Sequence, residues 1–229
     1  MIEKNYTIPI NEEFDKYDAC PICRLHEKFE QQSLEYIMGA AMMEPDVRID
    51  TNKSGFCTKH YYNMLSMRNR LSLALMLETH LKEIQNLFEE VSSGAKKQTQ
   101  AAAQKLADIA EDCFLCRRIA NTLEKYCSNI VFLWKTEPEF REKLSKQPQF
   151  CFTHTAALLK SGQKHLSAKH FSSFAADVTT VAEKGLKIYS DEVARFCKSF
   201  DYRYAGEELG DAKLACEHAV EWLTGSSNP

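Results

Sequence analysis

Cys20-Pro21-Ile22-Cys23, answered by Cys57-Thr58-Lys59-His60, organises the chain, and the same pattern returns as Cys113-Phe114-Leu115-Cys116 answered by Cys151-Phe152-Thr153-His154. Each half reads C-x2-C, a gap, then C-x2-H. The gaps are 33 residues (24 to 56) and 34 residues (117 to 150), and the copies are offset by 93 at the first pair and 94 at the second. Two full sets of three cysteines and one histidine at this spacing point to two metal sites in an internal duplication. Structural zinc takes four soft or borderline donors in a tetrahedron. A C-x2-C turn brings two thiolates to one side of the ion. A C-x2-H at a helix start adds two more on one face, because i and i+3 are neighbours there. The free N–H groups and positive dipole end of such a helix favour thiolate charge.

The expected sites lie within the halves. One is Cys20, Cys23, Cys57 and His60; the other is Cys113, Cys116, Cys151 and His154. The alternative in which both C-x2-C turns share an all-cysteine site leaves two C-x2-H pairs to find each other, so pairing within each half is the simpler reading. The layout resembles the ligand order of treble-clef zinc domains, with a helix and loop where those have a β-hairpin. Three cysteines and a histidine also suit an iron–sulfur cluster. A catalytic zinc keeps an open position, which four protein ligands do not leave.

The rest of the chain reads as all-α. Ile22, Leu25, Phe29, Tyr36, Ile37 and Ala40 mark a helix from about 22 to 42, ended by Glu44-Pro45. Tyr6 to Ile10 reads as a short extended piece, and 43 to 56 as a loop. A second helix starts at Cys57-Thr58-Lys59-His60, with its stripe at Met67, Leu71, Ala74, Leu77, Leu81, Ile84, Phe88 and Val91, and stops near Ser92-Ser93-Gly94. The polar run 92 to 104 marks the boundary between a repeat over 1–95 and a repeat over 96–229, the two packed as one unit. A short helix spans about 98 to 110. Leu115, Ile119, Leu123, Ile130 and Trp134 outline the next, closed by Glu137-Pro138. A turn at Ser161-Gly162 is expected to interrupt the helix after His154. A long helix follows over about 167 to 200, and a last one over about 211 to 223 carries Cys216, Ala219 and Leu223 inward. The architecture expected is a helical bundle of two pseudo-repeats, each with a metal site joining helix N-termini.

Cys127, Cys197 and Cys216 read as small buried hydrophobes. His26, His80, His165, His170 and His218 have no partner at ligand spacing. Asp201-Tyr202-Arg203-Tyr204 reads as a helix end with Asp and Arg paired.

The 229 residues, 44% hydrophobic and 27% charged with a net charge of -3, suit an ordinary globular protein. No apolar run reaches membrane-spanning length, and residues 1 to 13 have no signal-peptide core. Six of nine cysteines in metal-type groups fit a reducing compartment, so a cytoplasmic protein is expected. Residues 1 to 52 carry a net -6 and residues 141 to 170 a net +5. The basic stretch is a solvated face, or a contact for the acidic half, an acidic partner or nucleic acid. With eight glycines and no Walker, Rossmann, H-E-x-x-H or G-x-S-x-G pattern, an enzyme is not expected.

Several stretches together resemble an uncharacterised bacterial family of unknown function. They are Tyr6-Thr7-Ile8-Pro9-Ile10, Cys20-Pro21-Ile22-Cys23, Thr51 to His60 (TNKSGFCTKH), Arg70 to Leu75 (RLSLAL) and Phe200 to Tyr204 (FDYRY). The resemblance covers nearly the whole chain and implies a bacterial, soluble, cysteine-rich protein; it brings no activity. The second C-x2-C lacks the proline of the first. The function expected is a zinc-binding helical protein with two Zn2+ per chain, acting as an interaction or scaffold protein. A protein partner or homo-oligomer is favoured over nucleic acid, with no membrane. The alternatives are a thiol redox or metal-responsive switch and an iron–sulfur protein.

Overall fold

The computed structural model describes residues 6–204 and 208–225. Among them are eleven α-helices and no strand: α1 (Thr7–Phe14), α2 (Pro21–Met38), α3 (Pro45–Ser54), α4 (Thr58–Ser66), α5 (Arg70–Ser93), α6 (Lys96–Glu111), α7 (Phe114–Thr136), α8 (Pro138–Lys146), α9 (Phe152–His165), α10 (Ala168–Lys198) and α11 (Ala215–Thr224). The all-α reading holds. No helix among the described residues is long and apolar enough to cross a membrane.

The chain forms two compact units, Met1–Glu27 with Thr122–Pro229, and Lys28–Asn121. The chain passes between them inside α2 and inside α7. Neither crossing falls at the 95/96 boundary suggested by composition. The polar run there is the exposed start of α6, which packs along α5 within the second unit and buries Ala102.

In the first unit α1 replaces the expected extended piece. Pro9 sits in its first turn, where its missing N–H costs nothing. The helix buries Ile10 and Phe14, and the Phe14 ring meets Phe140 of α8 at 5.0 Å and Phe150 at 6.3 Å. Buried Glu13 accepts from Lys16 and Arg24, while Arg24 also donates to the carbonyls of Glu13 and Lys16. This ties α1 to the turn before Cys20. The long α10 packs on α8, α9 and α11. Trp134 donates to Asp177 at 2.9 Å and stacks edge-on against Phe174.

Gly162 does not break α9, which runs through to His165. A Cβ there would stand 2.6 Å from the Phe174 ring, so the glycine serves close approach of α9 to α10. Near the chain's other end, Leu214, Cys216 and Leu223 are exposed, and the buried residues of α11 are Ala215 and Trp222. The inward stripe expected there was off by one position.

In the second unit, residues 45 to 54 form α3, not a loop. Pro45 occupies the first turn with Asp46, Lys53 sits in the last turn, and Gly55 ends the helix at φ +61°. Arg48 fastens α3 to α5 by donating to the Leu75 carbonyl and the Thr79 hydroxyl, each at 2.7 Å. The expected single helix from Cys57 to Gly94 is two. Asn69 separates them, capping α5 through Ser72 N–H and holding the Met38 carbonyl at 2.8 Å. The core gathers Leu34, Ile37, Met38, Phe56, Met64, Leu73, Met76, Leu115 and Ile119. Leu71, Leu81 and Phe88, expected on the inward stripe, are exposed.

Candidate metal centres

All four ligand pairs sit at helix starts. Cys20 precedes α2 and Cys113 precedes α7, while Cys57 and Cys151 are the N-caps of α4 and α9. The two N-caps share one extended conformation, φ -72°, ψ 166° and φ -68°, ψ 161°. In each pair the second ligand is the third helical residue, on the same face as the cap. A cap sulfur therefore faces the N–H groups of its own first turn, as Cys116 N–H to Cys113 Sγ at 3.4 Å illustrates.

The pairing of these turns differs from the expectation. One cluster is Cys20, Cys23, Cys151 and His154; the other is Cys57, His60, Cys113 and Cys116. Every predicted ligand residue lies in a cluster, but each C-x2-C meets the C-x2-H of the other half. The reason is helix length. α2 has 18 residues and α7 has 23, so each carries the chain roughly 25 to 35 Å from its own C-x2-C before the C-x2-H arrives. Each ends in the unit opposite to the one where it began.

The first-unit cluster is closed. Its four residues are between 3% and 5% exposed. Cys151 Sγ lies 3.1 Å from His154 Nδ1 and 3.5 Å from Cys23 Sγ, and His154 Nδ1 is 3.3 Å from Cys23 and 3.9 Å from Cys20. The end of α11 lies over it. Trp222 donates to the Phe150 carbonyl at 3.0 Å, and a side chain at Gly225 would stand 3.8 Å from Cys151 Sγ. His26 stands beside the cluster, its ring 6.0 Å from that of His154, and is no part of it.

The second-unit cluster is more open. His60 and Cys113 are buried, Cys57 is half-buried and Cys116 is exposed. His60 Nδ1 lies 3.2 Å from both Cys57 and Cys113 and 3.5 Å from Cys116; Cys57 and Cys116 are 3.7 Å apart. The two turns are clasped by Phe114 N–H to the Gly55 carbonyl at 3.1 Å and Arg117 to Ser54 Oγ at 2.6 Å. Glu30 holds the other ring nitrogen of His60 at 3.1 Å and also meets Lys59. Carboxylate–histidine pairs of this kind orient metal-ligating imidazoles. Sequence reasoning missed Glu30, because one acid on a helix has no spacing signature.

Charge within each cluster is strained by proximity. Burial opposes ionisation of Cys113, but bonds from His60 and from the Cys116 and Cys57 backbone bring its thiol down to about 6. Partial desolvation, then the adjoining Cys113, push Cys116 up to about 12. His60 rises to about 10 against the pull of burial, through Cys113 and Glu30. In the first unit, bonds from Cys20 and Cys23 bring Cys151 down to about 3, while burial and its bonds with Cys151 and Cys23 push Cys20 well up. Within each cluster the crowded sulfurs thus shift one another in opposite directions.

The donor sets fit one ion each. A tetrahedral zinc, with bonds of about 2.3 Å to sulfur and about 2.0 Å to nitrogen, sets its donors roughly 3.5 to 3.8 Å apart. The contacts above run from 3.1 to 3.9 Å, and all donor atoms of a cluster lie within 4.8 Å of one another. Both clusters could hold a metal ion.

Of the other singled-out residues, Cys127 is buried as expected, with its thiol pushed up to about 12 by burial, but Cys197 and Cys216 are exposed. His80 bonds the Asn52 carbonyl, His218 pairs with Glu192, and Arg203 pairs with Asp201.

The chain matches no curated protein and no solved structure. A family model does match, over residues 1–229, and the chain therefore belongs to the Family of unknown function (DUF6062).

Proposed function

We propose that the protein binds two zinc ions in four-coordinate, structural sites and acts as a helical interaction or scaffold protein in the cytoplasm. The observation that carries this is the donor geometry. Each cluster offers three sulfurs and one nitrogen at the separations of a single tetrahedral ion, with no position left for a substrate water. A [2Fe–2S] cluster spreads its ligands over two irons and needs a wider set of donors, so the compact sets favour one ion. The thiolate-rich donors favour zinc over harder cations. The ions would join helix starts that come from distant parts of the chain and so stabilise the fold. Structural zinc in small domains contributes about 10–16 kcal/mol of folding free energy.

A duplicated origin is supported by helix order. α1 to α5 are followed by α6 to α10 in the same arrangement, with Pro45 and Pro138 opening α3 and α8 93 residues apart. A protein partner is favoured over nucleic acid because four of the six Lys and Arg residues in 141–170 are engaged nearby. Lys143 meets Asp15, Lys146 meets Glu142, Lys164 meets Glu124, and Arg141 stacks on Trp134 while donating to its carbonyl.

The test is elemental analysis of anaerobically purified protein, followed by thermal unfolding with and without a strong chelator. About two zinc ions per chain and a chelator-induced fall in Tm are expected. Iron with visible absorbance, or no metal, would contradict the reading.

A further inference from the structure

We propose that the Cys57–His60–Cys113–Cys116 cluster is a peroxide-oxidisable site entered at Cys116, while the Cys20–Cys23–Cys151–His154 cluster is a permanent staple. The proposal rests on the metal-binding reading above and adds a division of labour between the two sites. Three observations carry it. The donors of the first-unit cluster are all buried, and the end of α11 covers them. Cys116, in contrast, is exposed. The solvent-facing pair Cys57 and Cys116 has its sulfurs 3.7 Å apart, close enough to join once the ion leaves.

The chemistry balances with hydrogen peroxide as the oxidant. With zinc bound Cys116 would be a thiolate, since metal binding displaces its proton, and this sulfur attacks one peroxide oxygen. The O–O bond breaks, a sulfenic acid forms on Cys116, and hydroxide leaves to take a proton from solvent. The Cys57 thiolate then attacks the Cys116 sulfur and displaces a second hydroxide, which is also protonated. The two sulfurs lose two electrons in all, and peroxide takes both to become two waters. The disulfide would leave only His60 and Cys113 of the four donors to hold an ion, so a bound ion would be lost. His60 and Cys113 stay in place through the Glu30 and backbone contacts, so reduction and fresh metal restore the site.

The full chain loaded with zinc is treated with hydrogen peroxide while a zinc indicator follows release, and thiols are mapped by alkylation and mass spectrometry. The first ion should leave at least about tenfold faster than the second, together with a Cys57–Cys116 disulfide. A thiol reductant with added zinc should reverse that phase. The exposed Cys197 and Cys216 belong to neither cluster and report oxidation that releases no metal. In Cys116→His, which keeps a fourth donor, the fast phase should slow by a similar factor. Equal release rates overturn the proposal, as does a first ion lost with Cys20, Cys23 or Cys151 oxidised. So does an unchanged fast phase in Cys116→His; if that variant holds one ion only, the wild-type disulfide map decides. A chain that takes up no zinc before peroxide is added contradicts the underlying metal reading, and the proposal falls with it.

Discussion

At the scale of single residues, two positions in the second unit show how the site is held. Gly55 ends α3 at φ +61°, and a Cβ there would stand 2.8 Å from His80 Nε2. Both the backbone and the neighbour exclude a side chain, so Gly55→Ala should destabilise by more than about 1 kcal/mol in denaturant unfolding. Glu30 hydrogen-bonds the His60 ring and pairs with the Lys59 ammonium. Glu30→Gln should weaken metal retention by the second-unit cluster about 10- to 100-fold in chelator competition, with the first-unit cluster unaffected. The eight residues of the two clusters were legible because C-x2-C and C-x2-H spacing is written in the local sequence. Glu30 was not, because its role comes from where α2 lies beside α4.

At the scale of elements, α11 secures the first-unit cluster from the chain's end. Trp222 and Gln149 together fill the space over Gly185, and Trp222 donates to the carbonyl before Cys151. Trp222→Phe leaves that carbonyl without its donor and should cost about 1–3 kcal/mol, measured as a shift in the unfolding midpoint. The pairing of α11 with α10 also depends on pH. His218 Nδ1 and Glu192 Oε2 are 2.9 Å apart, and this bond raises the His218 value above 6.5. A raised value means the contribution is fully present below about 6.5 and is lost as pH rises through the folded value. The pair is partly exposed, so the loss should be under about 1 kcal/mol and absent in Glu192→Gln. Helix existence was read well from apolar spacing, since that spacing is what buries each helix. The misreadings have physical causes. Pro9 and Pro45 open helices as readily as they end them, and residues 45 to 54 carry too few apolar side chains to show a stripe. Gly162 looked like a turn but is a place where two helices touch.

At the scale of the whole molecule, the pairing of the metal turns is the feature that local sequence did not carry. Two identical ligand grammars can be joined within copies or exchanged between them, and nothing in the spacing of 93 and 94 residues decides which. The lengths of α2 and α7 decide it, by taking each C-x2-C away from the C-x2-H that follows it. The division into Met1–Glu27 with Thr122–Pro229 and Lys28–Asn121 follows the same exchange, since each unit contains one complete ligand set. The exchange makes a prediction that separates it from any within-half scheme. Metal content is measured by elemental analysis in two double variants, Cys20→Ala with Cys151→Ala, and Cys20→Ala with Cys57→Ala. The exchanged arrangement predicts about one ion per chain in the first variant and none in the second. Both variants emptied alike, or the first emptied while the second keeps one ion, would contradict it.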